Sequence, residues 1–160
     1  MKILASGILL ACLSLPAPGN AHNDNQQQVG TVLDKLHQRA AQADWEGYFS
    51  LYTNDAIFIG TDASETWTQQ EFKQYAKPAF DNGTGWTYTT TSRHIYLSPD
   101  EQVAWFDELL SNQSLGVTRG TGVLIKQNNT WKITQYHLAI PVPNALADDI
   151  TGQIKQFSQP

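Results

Sequence analysis

The chain has 160 residues, a formal net charge of −5 and only scattered Lys and Arg side chains. This length suits one domain with its own hydrophobic core and is too short for two. Phosphate binding needs a concentrated basic surface, so the charge pattern argues against a nucleic-acid partner.

The amino terminus has the pattern of a secretory signal peptide. Lys2 precedes an apolar run over residues 3–15, and the small residues after Pro16 end in a cleavage pattern at Ala21. The run is too short to cross a bilayer core of about 30 Å, so no membrane span is expected. We predict cleavage after Ala21 and export to the periplasm or the medium. The alternative is a lipoprotein acylated at Cys12.

Cysteine and histidine patterns argue against several kinds of site. Cys12 is the only cysteine, and signal cleavage would remove it together with any disulfide or thiolate chemistry. The four histidines lack the His-x-His and His-x-x-x-His spacings of common metal sites. Phosphate-binding and dinucleotide-binding glycine motifs are also missing. We therefore predict no metal and no cofactor.

Two helices are predicted near the start of the mature chain. Residues 22–28 are polar and predict a disordered lead. Apolar residues at three- and four-residue spacing over residues 29–43 predict an amphipathic helix, and Asp44 caps a second, shorter one. Tyr48 and Tyr52 belong to an aromatic stripe on that second helix. The stripe predicts core packing, with ligand contact as the alternative.

The remaining elements are mostly strands. A buried strand over residues 56–60 precedes a third helix, which Thr68 and Glu71 open as a capping box and Pro78 kinks or ends. Four antiparallel strands follow over residues 86–97, 103–110, 118–126 and 131–140, and a short terminal helix packs one apolar edge. This order predicts an α+β fold, with a curved, mostly antiparallel sheet wrapped around the N-terminal helices.

Alternation along residues 103–110 places one carboxylate on each face of that strand. Trp105 and Asp107 share one face, and Glu108 lies on the other. An unpaired carboxylate among apolar neighbours costs several kcal/mol to bury. The inward carboxylate therefore needs a partner, a proton or a wet cavity, and alternation does not decide which of the two it is.

Alternation along the last strand places Gln135 and His137 on the face of Ile133, opposite Lys132. Because Lys132 marks its own face as wet, we predict that His137 points toward the helices. It would act there as a general base paired with Asp107, and the alternative is a hydrogen-bonded core histidine.

Two further residues have open assignments. Arg119 would pair with a carboxylate or bind an anionic ligand if it faces inward, and would be a surface charge if it faces outward. Alternation places His94 on the same strand face as Trp86, Tyr88 and Tyr96, which indicates an aromatic surface suited to dimerisation.

Five short strings, in this order over residues 29–143, resemble the SnoaL-like domains of the nuclear transport factor 2-like superfamily. That superfamily also holds ketosteroid isomerase-like and scytalone dehydratase-like proteins. The strings are Asp44-Trp45 with Leu51 to Phe58, Gly60 to Asp62 with Glu65 to Trp67, Ala104 to Glu108, Arg119 to Val123, and Trp131 to Ile133 with His137.

The resemblance implies a cone-shaped fold with a pocket at one end, and homodimers formed through the sheet. It also implies that Gln135 and His137 point into the pocket and that the strand with Trp105 and Asp107 lines it. The acidic base of the isomerase-like members maps near Gly60, where this sequence has no acid. The resemblance therefore does not carry isomerase chemistry over to this chain.

These observations predict an exported protein that binds a small, mostly apolar molecule, with metal-free acid–base chemistry of the isomerase, dehydratase or hydrolase type as an option. The alternative is a non-catalytic dimerisation or assembly domain. The candidate catalytic residues are Asp107 and His137, and the candidate ligand-binding residues are Trp105, Arg119, Gln135, Tyr48 and Tyr52. The predicted organisation is a signal peptide over 1–21, a lead over 22–28, the domain over 29–143 and a helical tail over 144–160.

Overall fold

A computed structural model describes the backbone of residues 18–157 and the side chains of residues 22–157. The elements are α1 (Pro18–Ala41), α2 (Trp45–Phe49), β1 (Tyr52–Ile59), β2 (Thr66–Thr68), α3 (Gln69–Asp81), β3 (Thr89–Leu97), β4 (Val103–Asn112), β5 (Gly116–Gln127), β6 (Thr130–Ala139), a 3-10 turn (Asn144–Leu146) and α4 (Ala147–Phe157). The predicted α+β class is confirmed. Cys12 and the apolar run of the predicted signal peptide lie outside the described residues.

Helix α1 buries the apolar stripe that its sequence predicts. Val29, Leu33, Leu36 and Ala40 recur at three- and four-residue spacing, and all four are buried. The helix begins at Pro18, so the prediction of a disordered lead over residues 22–28 is wrong. Residues 22–28 are a polar turn of α1, and long-range hydrogen bonds attach this turn to the sheet.

Asn25 makes two of these bonds. Its Nδ2 donates to Glu101 Oε2 at 2.6 Å, and its Oδ1 accepts from Lys126 Nζ at 2.8 Å. Glu101 lies in the turn between β3 and β4, and Lys126 lies near the end of β5. The buried Asn25 therefore joins the first part of α1 to the sheet.

The six strands form one curled sheet in the order β2-β1-β6-β5-β4-β3. β1 runs parallel to β6, and all other neighbours are antiparallel. Helices α1 and α3 cover one face, which we call the inner face, and the opposite face is the outer face. Inner-face residues such as Phe106, Leu124 and Ile133 form the hydrophobic core together with the helices.

Helix α3 has the predicted capping box. Thr68 Oγ1 accepts from the backbone N–H of Glu71, and the Glu71 carboxylate accepts from the backbone N–H of Thr68. Pro78 does not end the helix, which continues to Asp81.

Two irregularities change which residues face the helices. Val123 of β5 pairs with Gln135, but the next residue, Leu124, pairs with Ile133, so Thr134 is an extra residue in β6. A second irregularity in β3 leaves Thr91 outside the pairing with β4. A one-residue bulge reverses the side-chain alternation beyond it. Residues that follow each bulge therefore face the side opposite to the predicted one.

Helix α4 forms where the sequence predicts a terminal helix, but the predicted packing of its apolar edge is wrong. None of its residues is buried, and Phe157 is 92% exposed. Across residues 18–157, no helix combines the length and the hydropathy needed to cross a membrane.

Candidate functional site

A cavity of about 170 Å³ opens between the inner face of the sheet and helices α1 and α3. Eight of the sixteen residues that line it are aromatic, so its wall is mostly apolar. An apolar cavity of about 150 Å³ is large enough to bind benzene. The cavity can therefore hold a small ring-sized molecule.

His37 is the titratable side chain that α1 contributes to the lining of this cavity. It follows Leu36 in the buried stripe of α1, and its side chain is 11% exposed. His37 Nε2 lies 2.8 Å from Oε1 of Glu108 on β4. Glu108 is fully buried because it lies two residues after the core residue Phe106 and shares the inner face with it. The contact joins the helix to the sheet at the wall of the cavity.

Three side chains surround the Glu108 carboxylate. Arg93 Nε donates to Oε2 at 2.8 Å, and the Tyr136 hydroxyl donates to Oε1 at 3.1 Å, beside the His37 contact. Burial raises the pKa of Glu108, but the hydrogen bond and charge of His37 and the charge of Arg93 outweigh it and hold that pKa below its ordinary value. Glu108 is therefore ionised at neutral pH.

Arg93 is itself anchored from several sides. Its Nη1 donates to Asp34 Oδ1 at 2.7 Å, one turn before His37 on α1, and its Nη2 donates to Thr90 Oγ1 at 3.1 Å. Asp34 is exposed, whereas Glu108 is buried. The network thus leads from solvent at Asp34 to the cavity at His37.

Gly120 provides room for the contact between Tyr136 and Glu108. It pairs with Glu108 across β4 and β5. A Cβ at this position would overlap the Tyr136 hydroxyl and would lie 2.9 Å from Glu108 Oε1. The absence of a side chain at Gly120 is therefore a requirement of the network.

Tyrosine hydroxyls supply further polar atoms. Tyr48 lines the cavity, and its hydroxyl lies 2.9 Å from that of Tyr52. Tyr52 is buried in the core but borders a separate, more polar depression. Burial raises the pKa of the Tyr48, Tyr52 and Tyr136 phenols, and the charge of Glu108 adds to this at Tyr136. All three phenols remain protonated and can donate hydrogen bonds.

The predicted catalytic pair of Asp107 and His137 is wrong. Both residues lie on the outer face, with Thr121 of β5 paired between them. Two strand spacings separate them by ~9.5 Å, beyond hydrogen-bond reach. Asp107 instead contacts the exposed His94, with 3.1 Å between its Oδ1 and His94 Nδ1. The bulge at Thr134 explains the error, because it turns His137 away from the helices.

Three predicted ligand-binding residues also lie on the outer face. Trp105 is 46% exposed and stacks on Tyr96, with 5.8 Å between ring centroids. Arg119 is exposed, which is the outward alternative, and Gln135 follows the Thr134 bulge. None of these three residues lines the aromatic cavity.

The network residues His37, Arg93 and Tyr136 were not candidates from the sequence. His37 carries a usable signal, because it lies on the buried side of α1 beside Leu36. Arg93 and Tyr136 carry none, because the bulges at Thr91 and Thr134 reverse their faces. Among the described side chains, no three His, Cys, Asp or Glu residues are grouped to hold a metal ion.

Comparisons with known proteins agree on the fold. A family model described as the SnoaL-like domain matches residues 29–143. No curated protein sequence matches the chain. Among solved structures, a protein from Streptomyces avermitilis, provisionally named a dehydratase of the NTF2-like family, has a TM-score of 0.64 at 14% identity over 76% of this chain and 99% of its own.

Two further solved structures are similar. A protein from Novosphingobium aromaticivorans, provisionally named a scytalone dehydratase, has a TM-score of 0.66 at 10% identity over 78% of this chain and 89% of its own. One from Exiguobacterium sibiricum, provisionally named a Ca/calmodulin-dependent kinase II association domain, has a TM-score of 0.57 at 16% identity over 82% and 99%. Identities this low show a shared fold only.

Proposed function

The chain belongs to the SnoaL-like domain family of the nuclear transport factor 2-like superfamily. We propose that it binds a small, mostly apolar molecule in the aromatic cavity and that His37 transfers a proton from one atom of this molecule to another. The observation that carries this proposal is the 2.8 Å contact between His37 and the buried, ionised Glu108 at the cavity wall. The catalytic role moves from Asp107 and His137 to this pair.

Glu108 determines which nitrogen of His37 carries a proton. An ionised carboxylate only accepts hydrogen bonds, so Nε2 of His37 is the protonated atom in this contact. The neutral ring then has Nδ1 as its basic atom. When Nδ1 takes a proton, the charge of Glu108 stabilises the resulting imidazolium, as a carboxylate does beside a general-base histidine.

The reaction class that fits is proton abstraction from a carbon next to a carbonyl group. In an elimination, the electron pair of the broken C–H bond forms the new double bond, and the leaving hydroxide departs as water after taking a proton. A histidine that accepts the first proton can supply the second. Two similar structures carry dehydratase names, which supports placing dehydration ahead of hydrolysis.

The test compares two histidines that both contact a carboxylate. His37→Gln removes the base at the cavity, and His94→Gln changes the exposed contact to Asp107 on the outer face. The protein is purified from its own host, and bound molecules are released and identified by native mass spectrometry. We expect turnover of the recovered molecule to fall about 100-fold or more for His37→Gln and to be unchanged for His94→Gln. Equal effects of both changes would contradict the proposal.

A homodimer or larger assembly through the outer face is the second candidate. The stacked Tyr96 and Trp105 rings are exposed there, as is the apolar side chain of Val117. Exposed apolar patches of this kind mark interaction surfaces, and one similar structure is named an association domain. Analytical ultracentrifugation tests it: the wild-type protein should sediment as a dimer and Trp105→Ser as a monomer, whereas a monomeric wild type rejects it.

Export also remains part of the proposal, on the strength of the apolar leader that ends at Ala21. N-terminal sequencing of the protein from the host's periplasm or medium should give His22 as the first residue. A protein that begins with an acylated Cys12, or that stays uncleaved inside the cell, would contradict this part.

A further inference from the structure

We infer that the cavity selects a cationic ligand, namely a small amine or ammonium compound whose apolar ring or chain fills the aromatic part while its charge lies beside Glu65. This inference rests on the proposed binding function and adds the chemical class of the ligand. It follows from the charges that line the cavity, from the position of Glu65, and from the aromatic rings next to it.

The charges of the lining residues favour a cation. The lining contains Glu65 but no Lys or Arg. Glu65 forms no ion pair within the described part of the chain, whereas the buried Glu108 behind His37 is matched by Arg93. An anionic ligand would be repelled by Glu65 with no Lys or Arg in the lining to offset the repulsion, and a neutral ligand would leave Glu65 unmatched.

The loop between β1 and β2 holds the Glu65 side chain against Gly60, and both residues line the cavity. The backbone N–H of Gly60 donates to the Glu65 carbonyl at 2.8 Å, and the N–H of Asp62 donates to Glu65 Oε2 at 3.1 Å. A Cβ at Gly60 would overlap the Glu65 carboxylate. Gly60 therefore lets the carboxylate lie directly against the backbone of a residue that lines the cavity.

Aromatic rings next to Glu65 provide the second element of cation recognition. Trp67 lies two residues after Glu65 and also lines the cavity. Its ring stacks on Tyr75 with 4.5 Å between centroids and lies 6.1 Å from Phe58. Aromatic faces carry negative potential and attract ammonium groups, most strongly at tryptophan. A carboxylate beside such rings is the combination that binds alkylammonium compounds.

The volume limits the size of the apolar part. About 170 Å³ admits a single ring or a short chain. Phe58 and Phe72, whose rings stack with centroids 3.8 Å apart, both line the cavity and contribute to its apolar wall. A primary or quaternary amine attached to one ring meets both requirements.

Three probes of the same size and different charge test the inference. Benzylamine is a cation, benzyl alcohol is neutral and benzoate is an anion at pH 7. Their binding to the full-length protein is measured by quenching of tryptophan fluorescence, since Trp67 and Trp86 line the cavity, and by calorimetry. We expect benzylamine to bind at least about fivefold more tightly than benzyl alcohol, and benzoate to bind most weakly.

Glu65→Gln is the decisive variant, and Asp55→Asn is its control. Both remove one carboxylate, but Asp55 is exposed on β1 and does not line the cavity. Glu65→Gln should weaken benzylamine about fivefold and leave benzyl alcohol within twofold, whereas Asp55→Asn should change neither. Binding of benzylamine and benzyl alcohol with equal affinity, or an unchanged benzylamine affinity in Glu65→Gln, would overturn the inference and leave the binding function intact. Failure of all three probes to bind would instead reject both.

Discussion

His37 Nε2 and Glu108 Oε1 lie 2.8 Å apart, and this contact joins helix α1 to strand β4 at the wall of the aromatic cavity. Arg93 and Tyr136 donate hydrogen bonds to the same Glu108 carboxylate. A fully buried carboxylate with three donors combines two roles, because it orients a cavity histidine and satisfies a buried arginine. Changes at Glu108 should therefore affect stability as well as binding.

Replacing Glu108 with Gln should be strongly destabilising. The change removes the charge that compensates Arg93, and breaking a buried ion pair by removing one partner costs about 3–5 kcal/mol. Asp107→Asn is the control, because the adjacent carboxylate is partly exposed on the outer face and should change stability by less than about 1 kcal/mol. Urea unfolding at pH 7 measures both. Similar losses for the two variants would show that the buried pairing of Glu108 contributes little.

The lowered pKa of Glu108 predicts how stability depends on pH. The folded protein holds this pKa below the ordinary value of 4.5, so the unfolded chain takes up the proton first as the pH falls. The stabilisation from Glu108 is present above pH 4.5 and is lost as the pH falls through the folded pKa. The difference in unfolding free energy between the wild type and Glu108→Gln should therefore shrink as the pH falls below 4.5. A difference that grows below pH 4.5 would contradict this.

Local sequence signals predicted much of the fold. The apolar spacing of Val29, Leu33 and Leu36 depends only on neighbours within the helix, and the Thr68–Glu71 capping box depends on a contact three residues away. Both predictions are confirmed. The polar turn around Asn25 was misjudged because its partners, Glu101 and Lys126, are distant in sequence.

The site could not be predicted from alternation, because sheet register depends on the neighbouring strand. The bulge at Thr134 follows from the pairing of β6 with β5, and nothing in the β6 sequence marks it. One extra residue moves Tyr136 to the inner face and His137 to the outer face. Alternation correctly placed Asp107 and Glu108 on opposite faces of β4, because no irregularity interrupts β4 against β5, but it left open which of them faces inward.

Asn25 should contribute measurably to stability, although it lies in the part of the chain expected to be disordered. Asn25→Ala removes hydrogen bonds to the charged groups of Glu101 and Lys126. A hydrogen bond to a charged group contributes about 1.5–3 kcal/mol to stability. We expect a loss of about 1–3 kcal/mol in chemical denaturation, since Glu101 is partly solvated. Asn23→Ala, at an exposed position two residues earlier, is the control and should be nearly neutral. Equal effects would indicate that this turn does not pack on the sheet.

Gly120 should tolerate no side chain while Tyr136 keeps its hydroxyl. Gly120→Ala places a methyl group where the Tyr136 hydroxyl lies and within 2.9 Å of Glu108 Oε1, and overpacking of this kind costs about 1–3 kcal/mol. Gly152→Ala is the control, because nothing lies near that position in α4 and alanine favours a helix. It should be neutral or slightly stabilising in thermal unfolding.

A double-mutant cycle separates the overlap with Tyr136 from other effects of alanine at Gly120. Tyr136→Phe removes the hydroxyl that the new methyl group would meet, together with its hydrogen bond to Glu108. The double variant should therefore lose less stability than the sum of the two single variants, with a coupling of about 0.5–3 kcal/mol for residues in contact. Additive losses would mean that alanine at Gly120 does not act through the Tyr136 hydroxyl.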